Sequence, residues 1–244
     1  MRLSENIYLV GSKDYGISHA IDSGVYLVDC GVTLALVDAG GGGDVDRLVR
    51  NIEAEGIDPS CVSHLLLTHC HSDHAGGAFG LRERLGCRVC IEEGEARIVE
   101  SGSDDDLGLD AAREGGFYPQ DYRFTHCPVD FRLRNGDTIS CGDREFKAIH
   151  VPGHSKGSMC FLVDLDEGRA LFSGDVVFPG GRIFINNLPS SDLSDYRRTI
   201  GRLAALEVDM LFPAHGVFRL SGGQRDIDTV IENLQKLKIP PNFT

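Results

Sequence analysis

Short apolar runs at residues 7–10, 25–28 and 34–38 have the length and β-branched content of buried strands. Four glycines at 40–43 then make a flexible turn. Asp44 stands where a helix N-cap belongs, and Val45, Leu48, Val49 and Ile52 follow at helical spacing. Gly56 and Pro59 close that helix. The pattern next predicts a buried strand over 64–68, a helix over 78–85 and a strand over 88–91. Strand-like pieces return at 146–151, 159–163 and 170–172. Two helical patterns end the chain: Leu193, Tyr196, Ile200, Leu203 and Leu206, and then Ile227, Val230, Ile231, Leu234 and Leu237. Residues 101–125 interrupt the alternation with a polar, acidic opening and a Gly-Gly-Phe-Tyr-Pro turn at 115–119, and read as a loop or lid.

A faint repeat relates the segment from Gly24 to Gly40 to the segment from Gly157 to Asp175. Each reads as strand, short turn and second strand, ending in an Asp/Gly corner. Two β-rich halves with helices outside predict an α/β fold, a four-layer αββα sandwich formed by one domain over residues 1–244.

Composition narrows the function classes. The 244 residues carry a net charge of −13, which argues against a nucleic-acid backbone or an anionic membrane as partner and leaves a small-molecule substrate. No apolar run approaches bilayer-spanning length, and the first ten residues lack the basic-then-apolar layout of a signal peptide. Eight scattered cysteines in a chain long enough to build its own core predict reduced thiols and a cytoplasmic protein. The lone C-x-x-C of Cys87 and Cys90 falls in a strand and reads as buried thiols.

The densest chemistry is Thr68-His69-Cys70-His71-Ser72-Asp73-His74, directly after an apolar strand. Alternation along extended chain puts His69 and His71 on one side and points Cys70 away. A turn into helix then swings Asp73 and His74 to a neighbouring position, so one loop is able to serve two adjacent metal sites. His154, Asp175 and His215 each follow an apolar run beside Gly or Pro, where folds place functional groups. His19, His64, His126 and His150 lack such context and read as structural or exposed.

Together with Val37-Asp38-Ala39-Gly40, Gly153-His154, Ser173-Gly174-Asp175 and Pro213-Ala214-His215-Gly216, the cluster resembles the metallo-β-lactamase superfamily from about residue 7 to 220. The resemblance implies that His69, His71 and His154 hold one metal, that Asp73, His74 and His215 hold a second, and that Asp175 bridges them. Asp38 would orient a ligand. Imidazole and carboxylate donors suit two divalent ions, zinc in the first place, with iron or manganese tolerated. The expected reaction is hydrolysis, in which a metal-bridging hydroxide attacks the carbonyl of a small thioester or carboxylic ester and Asp73 handles the proton. Acyl-homoserine lactone hydrolysis, mono-iron sulfur dioxygenation and a non-catalytic metal scaffold are the alternatives. Residues 174–182 resemble a segment of glyoxalase II-type thioesterases, which makes Arg182 a candidate to pair with a substrate carboxylate, the alternative being a solvated loop cation. Phe117, Tyr118, Phe124, Phe178, Ile183 and Phe184 are expected either to line an apolar pocket or to pack in the core.

Overall fold

The computed structural model describes residues 1–243. The chain divides into two compact units, residues 1–133 with 141–143, and residues 134–140 with 144 onward. The first unit holds a six-stranded sheet in the order β1 (Ile7–Gly11), β2 (Val25–Asp29), β3 (Leu34–Val37), β4 (Val62–Leu66), β5 (Arg88–Glu92), β6 (Phe131–Leu133). β1, β2 and β3 run antiparallel, and β3 through β6 run parallel. Parallel neighbours need crossovers, which the helices supply. α1 (Val45–Ala54) links β3 to β4, and α2 (Ser72–Ala75) with α3 (Ala78–Leu85) links β4 to β5. α4 (Glu93–Ser101) and α5 (Leu109–Glu114) link β5 to β6.

Local chemistry explains these elements. Asp44 caps α1 by accepting the Arg47 N–H at 3.0 Å, an interaction worth about 1 kcal/mol. Leu48 and Ile52 are buried by that helix, while Val45 and Val49 pack at the edge of the same core. Glu92 caps α4, accepting the N–H groups of Gly94 and Glu95. Within 101–125 the structure departs from the expected loop: α5 forms there, and Leu107 and Leu109 are buried. The reason is Arg113, whose guanidinium binds Asp104, Asp110 and the Tyr122 carbonyl at 2.6, 3.0 and 2.8 Å. The acidic run therefore anchors a buried arginine as well as meeting solvent.

The second unit carries a five-stranded sheet, in the order β11-β10-β9-β8-β7. Its strands are β7 (Thr138–Cys141), β8 (Arg144–His150), β9 (Met159–Leu165), β10 (Gly168–Gly174) and β11 (Met210–Pro213). β8, β9 and β10 are antiparallel neighbours, and β11 runs parallel to β10. α6 (Leu193–Thr199) and α7 (Gly223–Gln235) contribute Tyr196, Ile227, Val230 and Leu234 to the core of this unit. The helix expected through Leu206 tightens to a 3-10 turn at Ile200–Leu203, where Thr199, Ile200 and Gly201 put poor helix formers in succession. The last helix stops at Gln235, and Leu237 lies beyond it, exposed and at φ 58°.

Candidate metal centre

In the first unit the ligand loop leaves β4 and turns at His71, the N-cap of α2. Asp73 thereby enters the first turn, where the helix dipole favours a carboxylate. The ring nitrogens His69 Nε2 and His71 Nδ1 lie 3.0 Å apart, and His74 Nε2 lies 3.6 Å from Asp73 Oδ2. Behind them Asp38 is fully committed. It accepts the Thr68 N–H at 2.8 Å, the Thr68 hydroxyl at 2.9 Å and the His74 Nδ1–H at 2.9 Å. A proton fixed on His74 Nδ1 leaves Nε2 with its lone pair, the form a metal requires.

The hydroxyl of Tyr118, one of the residues expected near substrate, donates to Asp73 Oδ1 at 2.7 Å and accepts the Asp73 N–H at 3.0 Å. Burial and the Asp73 charge hold that phenol well above its ordinary range, so it stays a donor. Tyr122 stacks on Tyr118 and donates to the Gly41 carbonyl at 2.9 Å. Cys70 is buried, its N–H donates to Glu95 Oε2 at 2.7 Å, and desolvation followed by the Glu95 charge pushes its thiol up. Glu95 had no motif to mark it in the sequence.

In the second unit the three ligand-type residues come from separate strand ends. His154 follows Gly153, where a Cβ would fall 2.2 Å from the Tyr196 ring, so only glycine fits. His154 Nδ1–H donates to the Phe184 carbonyl at 2.9 Å, again freeing Nε2. Asp175 Oδ2 lies 3.4 Å from His154 Nε2 and 3.6 Å from His215 Nε2. Tyr196, buried on α6, donates to the Asp175 carbonyl at 3.1 Å and steadies the corner.

Each of the seven residues belongs to a group of His and Asp side chains that could hold a metal ion, and among the described residues Cys70 belongs to no such group. The donor set fits a divalent cation on chemical grounds. It is all imidazole and carboxylate, almost wholly buried, with outer ring nitrogens capped at His74 and His154. The remaining histidines have local partners. His64 Nδ1 meets Ser63 Oγ at 2.8 Å, His126 Nδ1 the Val99 carbonyl at 3.2 Å, and His150 Nε2 the Lys156 carbonyl at 2.8 Å. His19 Nδ1 accepts the Ile21 N–H at 3.4 Å.

Of the residues expected at an apolar pocket, Phe178 and Ile183 are buried in the second unit, and the Phe184 ring lies 4.9 Å from His154 and 6.4 Å from His215. Phe124 packs against the first unit's core, and Phe117 is exposed. Arg182 is exposed on the turn that follows Phe178.

Comparison with known proteins agrees with this chemistry. The chain is 35% identical over 169 residues to "Acyl-coenzyme A thioesterase MBLAC2" of Bos taurus, covering 65% of this chain and 57% of that protein. It is 29% identical over 157 residues to "Hydroxyacylglutathione hydrolase" of Bradyrhizobium sp. (strain ORS 278), covering 64% and 48%. The chain thus spans about half the length of these curated relatives. In fold it resembles BJP-1, a subclass B3 metallo-beta-lactamase of Bradyrhizobium japonicum, with TM-score 0.73, 23% identity and coverage of 97% and 90%. The profile of the metallo-beta-lactamase superfamily matches residues 6–215, and the chain belongs to that superfamily.

Proposed function

We propose that the protein is a dinuclear metal hydrolase of small thioesters or carboxylic esters. His69, His71 and His154 would hold one divalent ion and Asp73, His74 and His215 the other, with Asp175 as a further donor. Zinc suits these donors best. The observation that carries the reading is the donor preparation itself. Buried imidazoles have their outer nitrogens capped by Asp38 and the Phe184 carbonyl, and Asp175 Oδ2 lies close to two Nε2 atoms.

When bound, two divalent ions supply Lewis acidity and bring the pKa of water toward neutrality. This chain's own residues supply the rest. Asp38 and Thr68 keep His74 in the tautomer that presents Nε2. Asp73 takes up and returns the proton, and Tyr118 holds its carboxylate in place by a hydrogen bond at each end of the residue. Arg182 and Phe178 meet the substrate. The named activities of the two relatives, both hydrolases of acyl thioesters, favour thioesters over other esters. The eight free thiols suit a reducing compartment, and we place the protein in the cytoplasm.

The test is turnover of a thioester panel by metal-loaded protein, with and without chelator. Hydrolysis that chelation abolishes and zinc restores is expected. Hydrolysis that survives complete metal removal would refute the reading.

A further inference from the structure

A cavity of about 510 Å³ lies in the second unit, within the size range of small-molecule sites. Phe178, Phe218 and Phe243 give it an aromatic lining, Arg182 and Arg219 also line it, and His215 forms part of its wall. Residues 241–243 build one side. They are tied to the chain around Ile183 by the Ile183 N–H to the Pro241 carbonyl at 3.1 Å and the Phe243 N–H to the Ile183 carbonyl at 2.8 Å. The Asn242 side chain binds both backbone groups of Ile185, at 2.9 and 3.0 Å. So pinned, the Phe243 ring stacks on Phe178 with centroids 4.3 Å apart and lies 6.1 Å from the His215 ring.

The other side is the turn from Phe178 to Arg182, closed by reciprocal backbone bonds of 3.0 and 3.3 Å. Asp226 on α7, itself buried, braces it. Its Oδ1 accepts the Gly180 N–H at 2.8 Å, and its two oxygens accept Arg219 Nε at 2.6 Å and Nη2 at 3.2 Å. One carboxylate thus fixes both the turn and an arginine. Arg219 uses Nε and Nη2 on Asp226, and among the described residues neither its Nη1 nor the Arg182 guanidinium has a carboxylate partner. In a chain of net charge −13, two guanidinium groups against one carboxylate at an aromatic cavity are a local reversal of sign.

We propose that this cavity seats the non-reacting arm of the substrate, an apolar arm ending in an anion, with Phe178 and Phe243 holding the arm and Arg182 and Arg219 its terminus. The role as a substrate arm rests on the ester-hydrolase reading; the anion selectivity of the cavity does not. The terminal group is a carboxylate or a phosphate, since the guanidinium fork accepts both.

The test uses S-butyl thioethers of 6-mercaptohexanol, 6-mercaptohexanoic acid and 6-mercaptohexyl phosphate, which differ only at the terminus and do not hydrolyse. Titration calorimetry on the purified protein is expected to show at least one anionic probe binding about tenfold more tightly than the alcohol, as a charge-assisted hydrogen bond provides. The tighter of the two anions identifies the terminal group. That preference should fall in Arg182→Gln, an exposed site whose change spares the fold, and vanish in the Arg182→Gln/Arg219→Gln double variant. Phe243→Ala should weaken all three probes. Equal binding of alcohol and both anions, or a preference that the double variant retains, would overturn the proposal. The matching S-butanoyl thioesters separate the two readings. Anion-selective binding without any hydrolysis refutes the hydrolase reading and supports the cavity, whereas hydrolysis without selectivity refutes the cavity alone.

Discussion

Two corners of the molecule share a plan and use it differently. In the first unit the antiparallel pair β2–β3 ends at Asp38, beside parallel β4 and the histidines that follow it. In the second the antiparallel pair β9–β10 ends at Gly174-Asp175, beside parallel β11 and His215. Both corners need a left-handed residue. At the first Asp38 itself adopts it, at φ 63°, whereas at the second Gly174 adopts it, at φ 51°. The carboxylate is accordingly placed one residue differently. Asp38 turns back onto Thr68 and the outer nitrogen of His74, and Asp175 faces the Nε2 atoms of His154 and His215. The same corner thus serves as internal support in one unit and as donor in the other.

The largest expected effect breaks the first corner. Asp38→Ala leaves a buried Thr68 N–H, its hydroxyl and His74 Nδ1 without their acceptor, at a cost of about 3–5 kcal/mol. Urea unfolding of metal-free protein reads this directly. Asp175→Ala should cost the metal-free protein much less, yet remove bound metal and turnover. Equal stability losses for the two variants would erase the distinction.

A smaller effect tests the backbone. Gly174→Ala places a Cβ in the left-handed region and should cost about 1–2 kcal/mol, read from the same unfolding midpoint. Comparable is Tyr118→Phe, which removes both hydrogen bonds between that hydroxyl and Asp73 and should lower stability by about 1–2 kcal/mol. If the hydroxyl positions the proton carrier, kcat falls while KM holds.

The smallest concerns pH. Burial raises Tyr122 from 10.0 to about 12. A folded value above the unfolded one means that its stabilising contribution is complete below pH 10 and is lost as pH rises through 12. Ultraviolet titration of wild type against Tyr122→Phe, with unfolding measured at pH 9 and 11, checks the sign.

These corners also explain what was legible in the sequence. The strands at 7–10, 25–28 and 34–38 and the helix after Asp44 declared themselves, because apolar periodicity and a cap are local signals. The loop from His69 to His74 did so as well, since all its ligand-type residues are neighbours in the chain. His154, Asp175 and His215 lie far apart, and residue context alone marked them only as strand ends; resemblance to a family supplied their roles. Within 101–125 the short helix α5 was not legible, because its order comes from Arg113 gathering Asp104 and Asp110, pairs that no periodicity encodes. Glu95, Asp226 and Phe243 were silent for the same reason, each acting through a partner distant in sequence, and Tyr196 showed only as a helix position.

The most direct test of the whole account is the metal content of zinc-loaded protein, determined by elemental mass spectrometry alongside thioester turnover. The account predicts two ions per chain in the wild type, a loss of bound metal together with turnover in Asp175→Ala, and no activity after chelation. A wild-type protein that binds no divalent ion, or an Asp175→Ala variant with full metal content and full turnover, would contradict it.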